Sequence, residues 1–145
     1  DRGMSLTLAA AQAVVTAALA EARSRNARPL AVIVLDAGGH PVAFAREDGA
    51  SLFRHDIARA KAMGALGMGD DTRVLAERAK GNPAFFQSVS VAVGGNIAFS
   101  PGGVLIREEG CIIGAVGISG DTGDCDELCA FAGLKAAGFD LENSK

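Results

Sequence analysis

Four side chains in one stretch have the types that anion binding or proton transfer needs: Arg46, Asp48, His55 and Lys61. The guanidinium of Arg46 is a planar fork that can clamp a carboxylate through two hydrogen bonds. Lys61 can add a point charge or polarise a carbonyl. His55 carries an imidazole, the side-chain type best suited to general base or acid work near neutral pH. Asp48 supplies a carboxylate in the loop after Arg46. Further on, Gly102-Gly103 can offer backbone N–H groups to an anion or oxyanion. A catalytic assignment takes His55, Lys61 and Asp48 as reacting groups, with Arg46, Gly102 and Gly103 holding the substrate. A plainer alternative stands beside it: a surface helix with solvated His55 and Lys61, Arg46 paired to Asp48, and a simple tight turn at Gly102-Gly103.

Other groups carry less. Asp121, Asp124, Asp126 and Glu127 suit either an oxygen-ligated cation or the start of a helix, where carboxylates are stabilising. The second is the stronger reading, with Asp124 as N-cap, and no metal is assigned. Cys125 and Cys129 are four apart and face one way, but no second Cys or His pair completes a zinc site, so buried packing is expected. Gly114, Gly117 and Gly120 do not form a dinucleotide fingerprint.

The elements that position these groups follow from periodicity and turn residues. Residues 6–26 carry an Ala-rich helical pattern, with Ser5 or Thr7 as cap. Residues 30–35 and 41–46 read as a β-hairpin across Asp36-Ala37-Gly38-Gly39-His40. A helix is expected over about 52–67 with Ser51 as N-cap, and a shorter one over 72–80. His55 and Lys61 then stand about 120° apart on the first of these, at ~100° per residue. Both can border a pocket between helix and sheet. Residues 89–93, 97–99, 104–107 and 111–118 read as strands, and 125–137 as a last helix ended by Gly138. Antiparallel runs of strands, rather than single strands alternating with helices, predict an α+β fold of about five strands flanked by helices.

Composition bounds the rest. A chain of 145 residues fits one domain, 1–145, and 49% hydrophobic residues suffice for a core. The net charge of −3 comes with scattered basic residues and no Trp or Tyr, which argues against nucleic acid as partner. The apolar stretches 9–20 and 111–118 are too short to cross a bilayer. The start lacks the apolar region of a signal peptide. Met4 is a candidate native start with residues 1–3 as a cloning remnant, and a processed mature chain is the alternative. Three cysteines, an odd number, favour a reducing cytoplasm over a disulfide framework.

Four blocks together resemble one family. They are Val32-Ile33-Val34-Leu35-Asp36-Ala37-Gly38-Gly39-His40-Pro41-Val42-Ala43-Phe44 with Arg46 and Asp48-Gly49-Ala50; Ile57-Ala58 with Lys61-Ala62; Pro101-Gly102-Gly103-Val104; and Ile113-Gly114-Ala115-Val116-Gly117-Ile118-Ser119-Gly120 with Asp126-Glu127, Ala130 and Gly133. In this order they are similar to the GlcG/HbpS family, the haem-degrading-domain family whose relatives include the C-terminal domain of PduO-type proteins. The resemblance implies a profilin-like α+β fold and assembly into dimers or larger rings, with ligand pockets near subunit contacts. It links the chain to haem binding, redox sensing, glycolate and diol utilisation, and aromatic catabolism. Arg46 and Lys61 fall on the family pattern; His55 does not.

Three functions follow as expectations. The first is a small-ligand-binding protein, taking haem or a small carboxylated metabolite. Haem is then the cofactor to consider, with His40, His55, Met63 and Met68 as candidate donors. The second is a cofactor-independent isomerase, hydratase or lyase on a small carboxylated intermediate. The third is a homo-oligomeric structural subunit without chemistry. The first two ask the hairpin end, the central helix and the double-glycine bend to meet around one positively lined hollow.

Overall fold

A computed structural model describes residues 6–141. The expectations about Ser5, Met4 and residues 1–3 lie outside the described residues. Helix α1 (Leu8–Ser24) is capped by Thr7, whose hydroxyl accepts the Ala10 N–H at 3.1 Å. Its buried face is Ala11, Val14, Val15, Ala18 and Ala22, the spacing of one helical stripe. Strands β1 (Ala31–Asp36) and β2 (Pro41–Arg46) form the expected hairpin. The Asp36 carboxylate closes it by accepting the Gly38 and His40 N–H groups at 3.0 and 2.9 Å, and Gly39 takes the left-handed φ of +83° that the turn requires.

After α2 (Arg54–Met68), α3 (Thr72–Gly81) and α4 (Pro83–Ala92) come β3 (Gly103–Glu108), β4 (Cys111–Ser119) and α5 (Gly123–Ala136). The four strands form one antiparallel sheet in the order β2-β1-β4-β3. Helices α1 and α5 cover one face over Val32, Val34, Val104, Ile106, Val116 and Ile118. Helix α2 covers the other over Ala31, Ile33, Leu35, Leu105 and Ala115. Strand β1 is therefore apolar on both sides, which explains its unbroken buried run. The expected α+β architecture, an antiparallel sheet flanked by helices, is present.

The strand count differs, four against about five. Residues 89–92 belong to helix α4, and 97–99 form no strand. Val-Ser-Val-Ala-Val alternates like a strand, but Pro83 at the first helical position starts a helix that the Ser88 and Ser90 hydroxyls bond back onto. The outer edge of β3 is also filled by side chains. The Thr72 hydroxyl accepts the Gly103 N–H at 2.8 Å, and the Asp71 carboxylate accepts the Leu105 N–H at 2.9 Å. These bonds take the place of a fifth strand.

Two caps also move. Helix α2 begins at Arg54, because Ser51–Phe53 form a turn in which the Ser51 carbonyl accepts the Arg54 N–H at 3.1 Å. On α5 the N-cap is Thr122, not Asp124; its hydroxyl accepts the Cys125 N–H at 3.1 Å. Gly138, at φ +86°, ends that helix as its residue type predicts.

Candidate functional site

Helix α2 lies very close to β4 and β3. A Cβ at Gly117 would overlap the Ala58 carbonyl, and one at Gly103 would overlap the Lys61 carbonyl. This approach drives Lys61 into the interior, where it is 3% exposed. Its Nζ donates to the Ile118 carbonyl at 2.9 Å and to Asp126 Oδ2 at 3.1 Å. Asp126, 1% exposed, also accepts the Asp121 N–H through Oδ1 at 3.1 Å. Burial lowers the Lys61 pKa and raises that of Asp126, and in each case the partner's charge opposes the shift. Gly102 has φ +129°, and a Cβ there would stand 2.9 Å from the Lys61 amine. Lys61, Gly102, Gly103 and Asp126 thus form one buried polar node.

Arg46 and Asp48 lie elsewhere. They line an open cleft of about 400 Å³ with Arg23, Pro29 and Glu47. Arg46 Nη1 donates to the Ala50 carbonyl at 3.0 Å. Among the described residues it forms no ion pair with Asp48. Glu47 is already engaged, by the Leu30 N–H at 2.9 Å and by Arg23 at 3.0 Å. The charge of Arg46 is therefore available to a ligand.

His55 occupies a third position. It starts α2 beside the outer strand, with its ring edge-on to Phe44 at 4.8 Å between centroids. Its Nδ1 lies 3.7 Å from Asp56 Oδ1, no bond to Nε2 is seen among the described residues, and the side chain is 44% exposed. Phe44 and Arg46 are two apart on β2, so they share a face. Their register partners Ile33 and Ala31 place that face on the α2 side of the sheet. Phe44 is exposed there, as are Leu52 and Phe53 just before His55. Phe44 and His55 form one wall, an exposed apolar ring with an imidazole against it; Arg46 shares the strand face, but its side chain lines the separate cleft with Arg23, Pro29 and Asp48.

The expected single hollow is thus divided. Lys61 meets the double-glycine bend, Arg46 meets Asp48, and His55 meets Phe44. The other candidate donors are also apart. His40 is exposed in the hairpin turn beside Asp36. Met63 and Met68 line a cavity of about 220 Å³ between α2, α4 and Ile97.

Each member of the acidic segment is partnered within the fold. Asp121 accepts the Arg28 N–H at 2.7 Å, and that bond, with the Thr122 N–H, lowers its pKa. Arg73 is held between Asp124 and Glu127. Among the described residues no group of three or more His, Cys, Asp or Glu side chains gathers as a metal site. Cys129 is buried and Cys125 half-buried; loss of water pushes the Cys129 thiol up to about 12. No helix among the described residues is long and apolar enough to cross a membrane.

Sequence reasoning missed three residues of this framework. Arg54 Nη1 donates to the Ser119 hydroxyl at 3.0 Å, joining the start of α2 to the end of β4. Asp71 is buried against β3, and burial raises its pKa to about 6. Arg59 donates to Asn96 Oδ1 at 3.2 Å. Only Arg59 carries a sequence signal, its three- and four-residue spacing from Asp56 and Met63 on α2.

Comparison with known proteins matches this architecture. An uncharacterised 15.0 kDa protein from the dhaT-dhaS intergenic region of Citrobacter freundii is 30% identical over 130 residues, 90% of each chain. The crystal structure of HbpS superposes with a TM-score of 0.81 at 30% identity, covering 92% of this chain and 91% of that one. The fold is shared with the PduOC:haem complex, at a TM-score of 0.86 and 24% identity over 94% and 97% of the two chains. The family model described as haem degrading protein HbpS-like matches residues 6–135, the whole sheet and nearly all of its helices, and the chain belongs to that HbpS-like family.

Proposed function

We propose that this protein binds a haem-type tetrapyrrole on the wall formed by Phe44 and His55, with Arg46 further along the same strand. The observation that carries the reading is the His55 imidazole set edge-on against the exposed Phe44 ring, with Arg46 on the same strand face. A tetrapyrrole needs an apolar surface, an axial donor and a partner for its carboxylates. Phe44 supplies the first, with Leu52 and Phe53 nearby. His55 Nε2 supplies the second, and Asp56 beside Nδ1 is the kind of carboxylate that orients a ligating imidazole. Arg46 supplies the third. The bound iron would bring the redox and ligand-binding chemistry; the residues of this chain hold and orient the group.

The family description and the haem complex of a structural relative support this reading. The wall is open to one side, and a second copy of the chain would close it, so we place the pocket near a subunit contact in a homo-oligomer. We place the protein in the cytoplasm, consistent with free thiols at Cys111, Cys125 and Cys129. The test is a spectrophotometric titration with hemin. Wild type should give a saturable Soret shift, His55→Ala a different Soret position, and Arg46→Ala about tenfold weaker binding, as for a lost charged hydrogen bond. No saturable shift, or identical spectra for wild type and His55→Ala, would overturn the proposal.

The geometry favours proton transfer on a small carboxylated metabolite less: the Lys61 amine is buried and bonded to Asp126 and the Ile118 carbonyl, the Gly103 N–H is taken by Thr72, and His55 and Asp48 stand apart from them.

A further inference from the structure

One face of α2 changes character along its length. Asp56, Arg59, Met63 and Gly67 share that face by helical spacing, and with Gly64 and Met68 beside the stripe they line adjoining hollows. The C-terminal end is the apolar cavity of about 220 Å³, walled opposite the two thioethers by Val89, Val93 and Ile97. The N-terminal end is an open cleft of about 440 Å³ bordered by Arg59 and Asp56. Val93 and Asn96 belong to both, so the hollows adjoin. The Arg59 guanidinium is held to the Asn96 side chain at 3.2 Å. Asp56 turns its carboxylate to His55 Nδ1 at 3.7 Å, and among the described residues it forms no ion pair with Arg59.

The two glycines differ. A Cβ at Gly64 would stand 2.6 Å from Ile97 Cγ1, so packing requires that glycine. A Cβ at Gly67 would meet nothing within 4 Å. A glycine inside a helix is less favourable than alanine, and no contact explains this one. It leaves open space beside the thioethers. A dry apolar cavity of roughly 150 Å³ is enough to take up benzene.

We propose that this groove binds a small monocarboxylate with an apolar tail or a single ring. Its carboxylate pairs with Arg59, and its tail lies between Met63 and Met68. The neighbouring Asp56 selects against a second negative charge. This site lies apart from the haem-type wall and uses none of Phe44, Arg46 or Nε2 of His55, although Asp56 borders both.

The test is an NMR titration of protein carrying ¹³C-methyl methionine, with hexanoate, phenylacetate and uncharged hexan-1-ol as probes. Met63 and Met68 methyl signals should move saturably with both carboxylates. Arg59→Gln should weaken hexanoate about tenfold while leaving hexan-1-ol unchanged. Gly67→Leu, with its thermal melt retained, should abolish the shifts from all three. The proposal is overturned if the methyl signals do not saturate, or if Arg59→Gln binds hexanoate as wild type does. It is equally overturned if the signals move with protein concentration rather than ligand, since the groove would then be a contact between copies.

Discussion

Lys61 and Asp126 show how a residue that reads as chemistry can serve structure. Both are almost fully buried, and each holds the other's charge. Removing one partner of such a pair leaves an uncompensated buried charge, a loss of about 3–5 kcal/mol. Lys61→Met should therefore lower the urea midpoint sharply, and Lys61→Met with Asp126→Leu should recover most of it. Equal destabilisation in the single and double variants would contradict that role. Asp71 makes the opposite case. Its folded pKa is raised to about 6 by burial, so the fold favours the protonated acid. Its cost is absent well below pH 4, grows as pH rises from about 4 to about 6, and is then constant. Asp71→Asn keeps an acceptor for the Leu105 N–H. It should be more stable than wild type by roughly 2–3 kcal/mol at pH 7.5, with the difference vanishing by about pH 3. Lower stability at pH 7.5 would refute the argument.

At the scale of elements, the sequence was most readable where local chemistry decides. Thr7 as cap, the Asp36–His40 turn and Gly138 each follow from a residue acting on its own neighbours. Residues 89–92 were misread because their alternation satisfies a strand, while Pro83 and the serine back-bonds decide for a helix. The Lys61–Asp126 pair was beyond local reading altogether. Its members are 65 residues apart and meet only when α5 folds over the end of β4. The separation of Arg46 from Lys61 has the same origin, since pattern says which residues share a strand but not how near a helix lies to it. Two elements should also differ in stability. Strand β1 is buried on both faces, whereas α4 buries only Phe86. Hydrogen exchange should give β1 amides protection near the global unfolding free energy and α4 amides far less. Protection of α4 equal to that of β1 would mean that it packs far more firmly than its exposure allows.

The whole molecule leaves Phe44, Leu52 and Phe53 exposed along one side, and Phe85 and Val91 on α4 with Val93 just past its end. Exposed apolar side chains gathered in this way mark contact surfaces. If copies meet over the first group, sedimentation of wild type should show a dimer or larger assembly, and Leu52→Ser with Phe53→Ser should shift it toward monomer. A monomeric wild type at the highest concentrations studied would remove the subunit contact from the proposed pocket but leave the wall itself. The position of the haem-type ligand is the central claim, and ferric haem reports it by broadening nearby nuclei. In an NMR titration of the full chain with hemin, the His55 and Phe44 ring signals should broaden first, while His40 and the Met63 and Met68 methyls persist. Broadening that begins at His40 or at the methionine methyls, with His55 unaffected, would contradict it.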